Sequence, residues 1–309
     1  MKSKYLITGG LGFIGNELTR QLKPVAPVAI LDNRTRIAPR IEDIQDIPVH
    51  GVDLVQQQDV SRVLHEVQPE TVFHLAAIHY IPECNANPER TLRTNVEATM
   101  NLLRACSDSG VQHLIFASSG AVYADGDSRL SESAKIEPSD IYGWSKRHAE
   151  ELCLWHSKTT GLPVTLCRLF NNFGPRETNA HIIPEIIHQL RQGNILRLGN
   201  VEARRDYIHT QDTARALIAL AGIQNPKGTQ RVVNIASENA ASIRDLVDLI
   251  QGLLQRDLTI QFDPSRMRRS DKMVQVADTE YLRTLTGFQP RYNLETGLRQ
   301  LLKFEGLLS

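Results

Sequence analysis

The sequence is poor in cysteine: Cys84, Cys106, Cys153 and Cys167 are scattered, with no C-x-x-C pair and no histidines at metal-ligand intervals beside them. That argues against a disulfide framework or a zinc site and fits a reducing compartment. Net charge is lacking as well, since 35 basic residues balance 35 acidic ones. Without a global field the chain has nothing to attract nucleic acid or an anionic membrane, so any phosphate site must be local. No uncharged run reaches the roughly 18 residues that span a bilayer, and Met1 leads almost directly into an apolar strand with no signal-type segment. A cytoplasmic protein with no nucleic-acid, membrane or metal partner is expected. Low-complexity linkers and internal repeats are absent too.

What is present is a 309-residue chain, 41% apolar and 23% charged, long enough for one large or two intimately joined domains with a substantial core. Short apolar runs at 5–8, 28–31, 71–75, 113–117 and 163–169 read as strands separated by amphipathic stretches. Such alternation predicts a parallel sheet with crossover helices. Good helix formers begin soon after Pro138 and end before Gly161, so a helix over 142–159 places Tyr142 and Lys146 on one face. After Gly174-Pro175 the pattern loses regularity, with helices expected at 182–192 and 243–254 and a short strand at 232–235.

Thr8-Gly9-Gly10-Leu11-Gly12-Phe13-Ile14-Gly15 follows the first strand and opens a helix. Glycines there let backbone N–H groups, those of Phe13 and Ile14 included, approach a pyrophosphate at the positive helix end. Asp32, followed by Asn33, ends the second strand where a carboxylate accepts from both adenosine ribose hydroxyls and repels a 2′-phosphate. NAD is favoured over NADP, although Arg34 and Arg36 follow closely. The fold expected is α/β: a Rossmann doubly wound parallel sheet over 1–170, with a returning segment near 206–222. A smaller, interleaved α/β substrate-binding domain occupies most of 171–309.

The spacing of Gly9, Gly12 and Gly15 resembles the extended short-chain dehydrogenase/reductase family, in particular its NAD-dependent nucleotide-sugar epimerases and dehydratases of the UDP-glucose 4-epimerase type. Further matches follow in order along essentially the whole chain. Asp53-Leu54 is similar to the family's adenine-contacting pair, His74-Leu75-Ala76-Ala77 to its fourth-strand motif and Asn95-Val96 to its helix asparagine. The resemblance implies cofactor contacts from Asp53, Leu54, Leu75, Ala76, Ala77 and Asn95. It also implies a homodimer packed through the helix after Asn95 and the helix bearing Tyr142, though Leu152 and Trp155 on the latter equally suit a core.

Tyrosine and lysine one turn apart on a helix are commonly a solvated pair, but here Ser118 and Ser119 follow the apolar strand that ends at Ala117, at the carboxyl edge of the expected sheet, where doubly wound folds bind ligands. The family's active-site serine aligns with Ser119. Tyr142, as phenolate, would remove a hydroxyl proton while hydride leaves its carbon. A phenol has an unperturbed pKa of about 10, so positive charge from Lys146 and from oxidised nicotinamide is expected to favour the anion. Lys146 would also hold the nicotinamide ribose.

On the substrate side, residues 168–176 resemble the segment that carries nucleotide-sugar enzymes of this family into their substrate domain, which implies a diphosphate contact from Asn171. Arg205, in Arg205-Asp206-Tyr207, and Arg268 would grip the diphosphate and Asp271 the nucleoside ribose; singly, such arginines also read as surface residues. His79 is a candidate sugar or phosphate contact or an ordinary loop histidine, and Gln275 falls where epimerases gauge the size of the sugar. Related dehydratases, decarboxylases and 3,5-epimerases place an acid or a cysteine just after the active-site hydroxyl, where this chain has Gly120-Ala121. Transient oxidation at sugar C4 and return of hydride needs neither, so a 4-epimerase is the expected reaction. A reductase of a 4-keto-6-deoxy nucleotide-sugar is the alternative, and a non-catalytic nucleotide-sensing protein is the alternative of another class. The loop 79–87 departs from the family pattern and suggests a sugar other than plain UDP-glucose or UDP-galactose.

Overall fold

The computed structural model describes residues 4–33, 44–126, 129–267 and 272–308. Strands β1 (Tyr5–Thr8), β2 (Val28–Asp32), β3 (Val49–Gly51), β4 (Thr71–His74), β5 (His113–Ser119) and β6 (Val164–Leu169) alternate with helices. Those helices are α1 (Phe13–Leu22), α2 (Gln57–Val67), α3 (Ile81–Ala86), α4 (Pro88–Leu92), α5 (Ala98–Asp108) and α6 (Ile141–Thr160). Then come β7 (Asn171–Phe173), α7 (Ile182–Leu190), β8 (Ile195–Leu198), β9 (Arg204–His209), α8 (Thr210–Ala221) and β10 (Gln230–Ile235). The chain ends with β11 (Ala240–Ser242), α9 (Ile243–Leu254), β12 (Thr259–Phe262), β13 (Val274–Gln275), α10 (Glu280–Thr286) and α11 (Leu294–Phe304).

Seven strands form one sheet in the order β10-β6-β5-β4-β1-β2-β3, every pairing parallel. The central strands read as unbroken apolar runs because both faces are covered. One face packs on α2, α5 and α6 through residues such as Val63, Leu102 and Cys153. The other meets α1, α8 and α10 through Leu18, Leu217 and Leu282. The expected doubly wound α/β fold is therefore present. The smaller sheets are β11-β9-β13 with β7 on β9, and β12-β8; they enclose a separate core that includes Ile186, Leu198, Leu246 and Leu302. The chain passes between these cores more than once, since β9 leads into α8 and β10 on the large sheet before β11 returns to the small one.

Several boundaries differ by a few residues from the sequence reading, and two bear on the local structure. Strand β5 runs on to Ser119, so both serines belong to the sheet edge. Helix α7 stops at Leu190 and not at 192, because the N–H groups of Gln192 and Gly193 both turn back to the Gln189 carbonyl. All four cysteines are buried and unpaired. Among the described residues no helix is long and apolar enough to cross a membrane.

A buried charged network fixes α6 to the sheet. Arg168 on β6 donates from Nε and Nη2 to the two carboxylate oxygens of Glu150 on α6, each at 2.9 Å. Ser118 on β5 donates to the same carboxylate at 2.6 Å, and the remaining Arg168 nitrogen reaches the Tyr123 hydroxyl and the Glu132 carbonyl at 3.0 Å. Tyr123 in turn donates to Asn234 on β10 at 2.6 Å. Glu150 is 0% and Arg168 3% exposed, so either charge left alone would be stranded in low dielectric. Glu150→Gln is expected to destabilise the fold by about 3 kcal/mol, read as a lower urea midpoint. Glu150→Leu/Arg168→Met should lose less than Glu150→Gln, because no charge is then left unpaired; a double variant weaker than the single one would contradict this.

Candidate active site

A cleft of about 890 Å³ runs along the carboxyl edge of the large sheet and into the smaller sheets. Its floor is the turn from β1 into α1. Gly9 has φ of 69°, and a Cβ there would stand 2.8 Å from the backbone of Ala76. A Cβ on Gly15 would collide with the Gly9 carbonyl, whereas one on Gly12 would meet only that carbonyl, at 3.2 Å. The turn is closed tightly from below and open above Gly12. No side chain caps α1, so its first N–H groups remain directed at the cleft, which Phe13 and Ile14 line.

Asp32 accepts from the Leu11 N–H at 3.1 Å and lines the cleft with Asn33, and Asp53, Leu54, Leu75, Ala76 and Ala77 complete this end. Asn16, 2% exposed and lining the same space, has neither amide atom hydrogen-bonded within the protein. Uncapped helix donors, a glycine cradle, a cleft-facing carboxylate and an orphaned buried amide are together the features that a dinucleotide would satisfy, so the residues fit NAD. The sequence pointed to every one of these positions but Asn16, which lies just past the glycine turn and carries no signal in composition or spacing. Arg34 and Arg36 lie outside the described residues.

Asn95 is placed differently from expectation. It is buried in a single π-helical turn, Arg93–Glu97, donates to the Ile78 carbonyl and to Ser145 Oγ, and accepts from the Ile78 N–H. Its hydrogen bonds go to the protein, and it stands behind the wall of the cleft, pinning the β4–α3 loop to the helical turn that bears Tyr142 and Lys146.

That turn begins α6. Asp140 caps it by accepting from the Gly143 N–H at 2.8 Å, and Gly161, with φ of 81°, ends it. Tyr142 and Lys146 thus face the cleft one turn apart, with Ser119 beside the Tyr142 phenol. Ser119 Oγ accepts from the Ala121 N–H at 3.1 Å. The Ser118 hydroxyl, by contrast, is committed to Glu150. Lys146 is 3% exposed, donates to the Ala117 carbonyl at 2.8 Å and lies 4.9 Å above the Phe116 ring.

Proton affinities follow burial. Burial pushes the Tyr142 phenol up to about 12, opposed by the neighbouring Ser119 hydroxyl. Burial likewise lowers Lys146 to about 8. Desolvation dominates for both groups in the protein alone, before the positive nicotinamide that was expected to act with Lys146 is present.

Beyond Ser119, Gly120 is roofed by the Phe170 ring, 3.2 Å from where a Cβ would stand, and its carbonyl accepts from Gln275 at 2.7 Å. Lys272, which sequence reasoning missed, donates to the Tyr123 carbonyl and lines the cleft. Asn171, Arg205 and His79 also line it, the Arg205 guanidinium donating to the Arg204 carbonyl at 2.9 Å. Arg268 and Asp271 lie outside the described residues. Asp206, between Arg205 and Tyr207, is fully buried and accepts from Ser237 N–H and Oγ, Glu238 N–H and Ala277 N–H, anchoring β9 beneath the site.

Comparison with known proteins agrees with this geometry. The GDP-6-deoxy-D-mannose reductase of Pseudomonas aeruginosa is 30% identical, over 98% of this chain and 97% of its own. The crystal structure of UDP-glucose 4-epimerase from Thermotoga maritima with UDP-glucose superposes with a TM-score of 0.88 at 25% identity, over 97% of both chains. MoeE5 in complex with UDP-glucuronic acid and NAD gives 0.87 at 29% identity, over 97% of this chain and 98% of that one. Residues 5–236, which carry the glycine turn, Asp32 and the Ser119, Tyr142 and Lys146 cluster, match the family model of these enzymes, and the chain belongs to the NAD dependent epimerase/dehydratase family.

Proposed function

We propose that the chain is a nucleotide-sugar 4-epimerase that transiently oxidises sugar C4. The observation that carries this reading is the wall beside the Ser119–Tyr142 pair. Gly120 and Ala121 offer no acid, base or thiol, and the Gly120 carbonyl is held by Gln275, so this wall lacks the extra group that elimination or 5-epimerisation needs there. NAD, when bound, supplies a hydride acceptor that returns the hydride and places a positive charge beside the phenol. Gly9, Gly12 and Gly15 with the α1 N-terminus would hold its pyrophosphate, Asp32 a ribose, Asp53 and Leu54 the adenine, and Lys146 the nicotinamide ribose. Asn171, Arg205, Arg268 and Asp271 are assigned to the nucleotide half of the substrate.

Tyr142 takes the C4 hydroxyl proton and later gives it back, while Ser119 holds the reacting oxygen. A phenol held at about 12 keeps its own proton in the protein alone, so the base is formed only when a cation arrives beside it. This protects the site from idle deprotonation and ties proton transfer to a loaded cleft.

The 30% identity with a reductase favours a second reading, reduction of a 4-keto-6-deoxy nucleotide-sugar. Asp32 argues for NAD in either case. Incubation with a panel of nucleotide-hexoses and no added reductant should interconvert C4 epimers, and Tyr142→Phe should retain NAD binding while turnover falls at least about 100-fold. A strict requirement for added NADPH would favour the reductase. NAD binding with no hydride exchange on any sugar would leave a non-catalytic, nucleotide-sensing protein.

A homodimer through α5 and α6 belongs to the same proposal. Trp144 and Trp155 stand 46% and 56% exposed on α6, more than aromatic rings on a free helix face ordinarily are. Light scattering should return twice the single-chain mass, and a monomer mass would reject the dimer.

Lys146 makes the buried site sensitive to alkali in a defined direction. Its value in the fold, about 8, lies below the 10.5 of an exposed lysine, so the penalty for burying the charge is present below pH 8 and is relieved as the pH climbs toward 10.5. Relative to Lys146→Met, the unliganded protein should gain about 2 kcal/mol between roughly pH 7 and pH 10 in urea unfolding. A difference that is flat with pH would show that the amine is solvated.

A further inference from the structure

Three side chains that the proposed reaction does not use converge across the cleft. His79 follows β4, one residue beyond the Ile78 backbone that Asn95 pins. Glu177 and His181 come from the other side, in the segment between β7 and α7. One donor atom from each lies within 4.8 Å of the other two, and all three residues are half-buried. In sequence His79 is about a hundred residues from the other two, and the histidine spacing along the chain gave no hint of the group.

The local contacts shape this group as a donor set. The His79 and His181 rings stack with centroids 5.6 Å apart and planes within 27°, which presents their nitrogens along neighbouring edges. Tyr80 packs edge-on against His181 at 5.6 Å and limits its rotation. The Asn179 amide nitrogen sits 3.0 Å from His79 Nε2; turned over, that amide would set its oxygen there to accept from Nε2–H, the outer contact that orients an imidazole binding metal through Nδ1. Glu177 accepts from the N–H groups of Thr178 and Asn179, at 2.9 and 2.8 Å.

Two imidazoles and a carboxylate match the preference of borderline divalent ions and not of Mg²⁺ or Ca²⁺, which call for all-oxygen shells. Ligands about 2.0–2.1 Å from a tetrahedral ion stand roughly 3.3 Å apart, so small side-chain rotations would complete the shell and leave a fourth position toward the cleft. We propose that His79, Glu177 and His181 form a site for one borderline divalent transition-metal ion, with Zn²⁺ as the reference, which ties the loop after β4 to the segment before α7. This reverses the expectation from sequence that the chain holds no metal site. Bound there, the ion would bridge the two walls of the cleft.

The test uses untagged, chelator-treated full-length protein without nucleotide, so its outcome does not depend on the reaction catalysed. Titration with Co²⁺ should saturate at one equivalent with the intense visible absorption of a low-coordinate ion, and Zn²⁺ should displace it. His181→Ala and Glu177→Gln should each weaken binding by about 100-fold, and Asn179→Ala by about tenfold. If His181→Ala does not fold, His79→Gln and Glu177→Gln carry the comparison. Absence of stoichiometric binding at micromolar metal, a weak octahedral Co²⁺ spectrum, or binding unchanged in the variants would each overturn the site.

Discussion

The pair formed by Glu150 and Arg168 is the constraint on which the active site depends. Helix α6 brings Tyr142 and Lys146, β5 brings Ser119, and nothing in the local sequence sets the height of one against the other. The bidentate contact does so from inside the protein, with Ser118 as the third member on the strand itself. Because a fork-on-carboxylate bond has one good geometry, a slip of α6 by part of a turn would strand both charges. The polar network therefore acts as a register, and the neighbouring serine, Ser119, is left available for the cleft.

A second constraint is dryness. The same burial that locates Lys146 against the Ala117 carbonyl also holds its charge at a loss and keeps the Tyr142 phenol protonated. The buried Lys146 charge is thus held at a cost in the protein alone. Such local instability is common where a fold gives up stability for chemistry.

Much of this was legible in the sequence, and the reason is locality. The glycine turn, Asp32 after its strand, and a tyrosine and lysine one turn apart are patterns within a few residues, and strand and helix periodicity placed β1, β4 and α9 almost to the residue. Family resemblance ordered the rest. What could not be read were contacts between distant segments: the commitment of Ser118 to Glu150, the four bonds to Asp206, the inward turn of Asn95, and the meeting of His79 with Glu177 and His181. The depth at which Tyr142 is buried was hidden for the same reason. Helical proximity to Lys146 was visible in sequence, but the depth of burial was not, and burial prevailed.

The passage of the chain back and forth between its two cores also bears on how such a protein can diversify. Strand β10 closes the edge of the large sheet beside β6 yet is encoded after α7 and β9, and α10 covers that sheet from near the carboxyl end. No single cut separates a complete large-sheet unit from a complete small-sheet one, so the halves cannot be exchanged as cassettes. Novelty has to enter by insertion or substitution in the loops at the strand ends, while the scaffold is inherited whole.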